Sequence, residues 1–79
     1  MRGGTEDKGL SARSIDTLAG CFEQTRYERR EEAGIDAWLD RELRRRLREE
    51  YDVLPEFVEA EAKRVIAAVF RISDARTEL

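Results

Sequence analysis

Histidine is absent from this 79-residue sequence, and cysteine, proline and tryptophan occur once each. The missing imidazole removes the commonest general base and the commonest metal ligand. A single thiol, Cys21, cannot close an intrachain disulfide, so the expected fold is unstapled and suited to a reducing compartment, the cytoplasm. With no histidine to activate it, Cys21 reads as a small, half-buried apolar residue. No apolar run approaches the ~18 residues that cross a bilayer, so no membrane association is expected. No apolar segment follows Met1-Arg2, which argues against a cleaved leader. Basic charge is also short: 15 Lys and Arg face 18 Asp and Glu, for a net charge of -3. Affinity for nucleic acid comes largely from phosphate neutralisation, so direct binding of DNA or RNA is not expected on this balance.

What remains is a highly charged chain, 42% Asp, Glu, Lys and Arg against 41% hydrophobic residues. Its length allows one small domain with a thin core. Residues 1–13 hold three of the five glycines and one large apolar residue, Leu10, and read as a flexible tail. Residues 14–79 read as a single small helical domain. Its first segment, Ser14 to Ala33, has an apolar row of Ile15, Leu18 and Phe22. Ser14 or Asp16 is a suitable N-cap, and Gly34 is placed to end the helix. Gly20 interrupts this segment, and Cys21–Tyr27 can also be read as a short strand.

The second segment is clearer. Ile35, Leu39, Leu43 and Leu47 recur at four-residue spacing behind Asp36, a good N-cap. Pro55 then opens a third helix, where its missing N–H costs nothing. Val58, Ala62, Val65, Ile66, Val69 and Ile72 form its buried face, and Phe57 and Phe70 stretch the apolar arc past 180°. The short turn between these helices predicts an antiparallel hairpin over residues 35–72, pairing Leu43 with Val65, Leu39 with Val69 and Ile35 with Ile72. An arc this wide needs a second neighbour, either the first segment or another copy of the chain, so a homodimer is a possible state. The expectation is an all-α, three-helix domain built on that hairpin.

Two charges fall inside the apolar rows, Arg46 on the second helix and Glu61 on the third. Folded about Val53 they lie opposite each other and predict an ion pair that fixes register.

No motif carries catalysis. The adjacent carboxylates Glu31-Glu32 and Glu49-Glu50 point about 100° apart on a helix and do not converge on one atom. Zinc, calcium and phosphate-loop spacings are missing. The expectation is therefore a protein that is not an enzyme and takes no cofactor or metal. The arginines at 41, 44, 45, 46 and 48 are interleaved with acids at i,i+4 and read as a solvated face.

If Cys21–Tyr27 were a strand, the order strand–helix–helix would resemble the ribbon-helix-helix DNA-binding family. That resemblance implies Phe22, Gln24 and Arg26 as groove readers. The turn Asp52–Glu56 lacks the glycine-containing phosphate-binding turn of that family.

Protein partners fit better. Trp38, with Arg41 and Arg45 one and two turns on, combines residue types enriched at interface hot spots. Phe57 and Phe70 flank the surplus apolar arc. The acids Glu28, Glu31, Glu32, Glu49 and Glu50 suit a basic partner surface. The sequence thus predicts an accessory, regulatory or inhibitory protein that binds another protein or complex. One form is a phage-type inhibitor, as anti-CRISPR proteins are, that blocks a DNA-binding channel.

Overall fold

The computed structural model describes residues 9–77, which form three helices: α1 (Ala12–Glu28), α2 (Ile35–Glu49) and α3 (Pro55–Thr77). No strand occurs among the described residues. Cys21–Tyr27 belongs to α1, so the strand–helix–helix order of the ribbon-helix-helix reading is not present. Of the tail expected over residues 1–13, residues 1–8 lie outside the described residues, whereas residues 10–13 belong to the fold: Leu10 packs against the core, Ser11 caps α1, and Ala12 and Arg13 form its first turn.

Helix α1 starts two residues earlier than Ser14. Ser11, in extended backbone, caps it by accepting the Ser14 N–H at 3.1 Å. Its buried row is Ile15, Leu18, Ala19 and Phe22. Cys21 lies about 110° from that row by helix geometry and is exposed rather than half-buried. The helix ends at Glu28, well short of Gly34, with the Arg29 N–H closing on the Thr25 carbonyl at 3.0 Å.

Gly34 instead opens α2. Its φ of 81° is the left-handed backbone that glycine adopts without a Cβ penalty, and its carbonyl accepts the Trp38 N–H at 3.0 Å. Asp36 therefore sits inside the first turn, where its charge still suits the helix dipole. At the other end Asp52 takes the left-handed region, with φ 55°. That lets the Val53 N–H reach the Leu47 carbonyl at 2.9 Å and buries Val53 under the turn.

The order of cross-helix contacts fixes the directions. Asp16 meets Arg71 and Glu23 meets Arg76, numbers rising together, so α1 and α3 run parallel. Arg46 lies over Phe22 and Arg29 over Trp38, numbers running oppositely, so α2 is antiparallel to α1. Arg44 meets Glu59, while Leu39 and Leu43 share a cavity wall with Val65 and Val69. The hairpin of α2 and α3 is thus antiparallel. Helix α1 covers the far side of the wide arc on α3. The core joins the α1 row to Ile35, Leu39, Leu43 and Leu47 and to Val58, Ala62, Val65, Ala68 and Val69.

Helix α1 also explains why Arg46 and Glu61 do not pair. Both residues sit on the side of their helix that faces α1. Glu61 is buried there, accepting the Leu10 N–H at 3.1 Å and Arg64 at 2.7 Å. Arg46 donates to Glu42 at 3.2 Å and lays its guanidinium 5.1 Å from the Phe22 ring.

Candidate functional site

Where α2 and α3 come together over α1, the packing leaves an apolar cavity of about 150 Å³. Phe22 contributes from α1, Leu39 and Leu43 from α2, and Val65, Ile66 and Val69 from α3. Its rim is polar. Arg26 continues the inward row of α1 one turn past Phe22, and its Nε donates to Asp36 at 3.1 Å. The same guanidinium stands 5.0 Å from the Phe70 ring, which is 49% exposed. A large aromatic left half in water beside an apolar cavity is the kind of surface that contacts use, because its remaining burial is unspent.

The other predicted contact residues do not join this surface. Trp38 is half-buried on the α1 side of α2, with Arg29 4.7 Å above its ring. Arg29 is itself gripped by Glu32 at 2.8 and 2.9 Å. Arg41 is exposed on the outer side of α2, without an ion-pair partner among the described residues. Arg45 bridges Glu42 and Glu49 along its own helix. Phe57 packs against the core at the start of α3, thirteen residues from Phe70 and about 20 Å along the helix.

The acids separate into two poles. Glu28, Glu31 and Glu32 lie at the α1–α2 connection and Glu49 and Glu50 at the far end of α2. Fifteen residues of α2, about 22 Å, stand between them. Glu28 accepts the Gln24 amide at 2.7 Å, while Glu31 and Glu50 have no partner among the described residues.

Hydrogen bonds to arginine dominate the titration behaviour. Arg29 holds the Glu32 carboxyl below its ordinary value, Arg45 and then Arg46 do the same for Glu42, and Arg44 does so for Glu59. Five arginines lie over aromatic rings, against about one such contact per 70–80 residues in proteins generally. Tyr27 is held between Arg30 at 4.4 Å and Arg76 at 4.3 Å, and Arg76 also grips the buried Glu23 at 2.7 and 3.0 Å. Much of the arginine content therefore closes the helix ends over their rings.

Among the described residues, no three His, Cys, Asp or Glu side chains are grouped to hold a metal. No described helix is long and apolar enough to cross a membrane. Sequence reasoning named Phe70 as a contact residue, but placed Arg26 as a groove reader, Asp36 as an N-cap and Ile66 in a buried face rather than at this site. The signal for Arg26 was its place four residues after Phe22 in the buried row of α1. No family model matches the chain, and no curated protein and no solved structure matches it either.

Proposed function

We propose that this chain is a non-enzymatic protein-binding module, an accessory, regulatory or inhibitory factor, and that it docks through the α2–α3 face around Phe70. The half-exposed Phe70 ring beside an apolar cavity carries the reading. Arg26 and Asp36 at the rim add an orienting charge pair next to that anchor. An inhibitor of a nucleic-acid-handling complex is one form of such a module. Its acids would have to reach a basic channel from both poles of the bundle. The reading puts the protein in the cytoplasm, where the exposed thiol of Cys21 stays reduced.

The test compares two immobilised baits, the native chain and Phe70→Glu, in extract of the source cells, with circular dichroism confirming equal helicity. The native bait should retain a protein that the variant does not. Equal retention by both baits removes Phe70 from the contact surface and refutes the assignment.

A further inference from the structure

Helix α3 presents two opposite faces. Val58, Ala62, Val65 and Val69 are buried against α1 and α2. On the other side Ala60, Lys63, Ala67 and Asp74 are exposed, and half-exposed Phe70 stands at the edge of that stripe next to the cavity, the five spaced three and four residues apart in alternation. That spacing places the five along one side of the helix, Ala60, Ala67 and Phe70 apolar and Lys63 and Asp74 charged.

We propose that this stripe is the interface of a homodimer, the α3 helices of two copies packing antiparallel with Phe70 against Ala67 and Lys63 against Asp74. The proposal rests on reading the Phe70 face as a docking surface and names a second copy of this chain as its occupant.

Lys63 and Asp74 give the stripe opposite charges that a second, antiparallel copy can pair. In an antiparallel pair related by a two-fold axis, each stripe position of one helix meets a fixed position of the other, and every contact occurs twice. Setting Phe70 opposite Ala67 places the largest side chain of the stripe against one of the smallest. The same register sets Lys63 opposite Asp74 of the second copy. Sliding the helices by one stripe position, so that Phe70 meets Lys63, sets Glu59 against Asp74 and loses that match. The flanking charges do not repel, because each is held within its own copy: Arg64 by Glu61 at 2.7 Å, Arg71 by Asp16 at 3.4 Å, and Glu59 by Arg44 at 2.9 Å. In the proposed register residues 60–77 overlap, about 27 Å of helix, so the contact is at or below the roughly 1,000 Å² of specific interfaces and belongs with weak ones. Self-association should accordingly be of micromolar strength.

Sedimentation equilibrium of the full chain, from about 1 μM to 500 μM at low salt, provides the test. The native chain should shift from 9.2 kDa to twice that mass. Phe70→Glu should stay monomeric with its helicity intact. Lys63→Glu and Asp74→Lys should each weaken the dimer about tenfold, and the double variant should recover native strength. A native chain that stays at 9.2 kDa throughout overturns the dimer, while Phe70-dependent capture in the bait experiment would still support the docking surface. A dimer that survives Phe70→Glu, or a double variant as weak as either single one, overturns this interface.

Discussion

Three glycines stand in three different environments, and replacing each by alanine separates the forces acting on the backbone. Gly20 lies inside α1, and a Cβ built there meets nothing within 4 Å. The substitution therefore introduces no clash and gains no packing, so only helix propensity remains, about 1 kcal/mol in favour of alanine. With an unfolding entropy of about 2.1 cal/mol/K per residue over 79 residues, that raises the thermal midpoint by about 6 °C. Gly34 has open space around it as well, yet its φ of 81° penalises any Cβ. Gly34→Ala should lose about 1 kcal/mol, a fall of similar size. At Gly9 the obstacle is steric, since the new Cβ would stand 2.7 Å from Oε2 of Glu61. Glu61 can retreat only by loosening its bonds to the Leu10 N–H and Arg64, so Gly9→Ala should also cost about 1 kcal/mol. Thermal unfolding followed by circular dichroism at one fixed protein concentration measures all three. A lowered midpoint for Gly20→Ala, or an unchanged one for Gly34→Ala, would refute this account of the two helix positions.

Leu47 is completely buried and Leu54 is 54% exposed, so Leu47→Ala should cost about 2–5 kcal/mol and Leu54→Ala less than about 0.5 kcal/mol, as read by urea denaturation. Glu32, Glu42 and Glu59 have folded-state pKa values held below the ordinary 4.5. A depressed carboxylate contributes stability that is present above its unfolded value and lost as pH falls through the folded one. The thermal midpoint should therefore drop on acidification below about pH 4.5, and about 1 M salt should flatten that drop. A midpoint that rises on acidification contradicts the arginine pairings. Cys21 is exposed, so a thiol reagent should label one group per chain without denaturant; labelling only after unfolding would place it inside.

The hairpin was legible in the sequence because its signals are local and agree with one another. Four apolar residues at spacing four mark α2, Pro55 marks the start of α3, and the two rows share one core. Gly34 misled because a left-handed glycine can close one helix or open the next. Here it opens α2, after a connection that begins at Arg29. Arg46 and Glu61 looked like partners while only two helices were considered; adding α1 along α3 turned both toward it. Phe70 could be named from its place beside the apolar arc. The cavity next to it could not, because a gap among three helices depends on how they lean together, and helical periodicity carries no such information.

The parallel placement of α1 on α3 has a consequence for biosynthesis. The apolar row Ile15, Leu18 and Phe22 is among the first parts of the chain to be made, whereas the stretch of α3 that covers it comes some fifty residues later. At translation rates of about 5–20 residues per second, that row waits roughly 3–10 s for its cover. During this interval α2 is the only later helix that can shield it. A chain truncated after Glu50 should therefore expose these side chains to chaperones, and one ending after Arg76 should not.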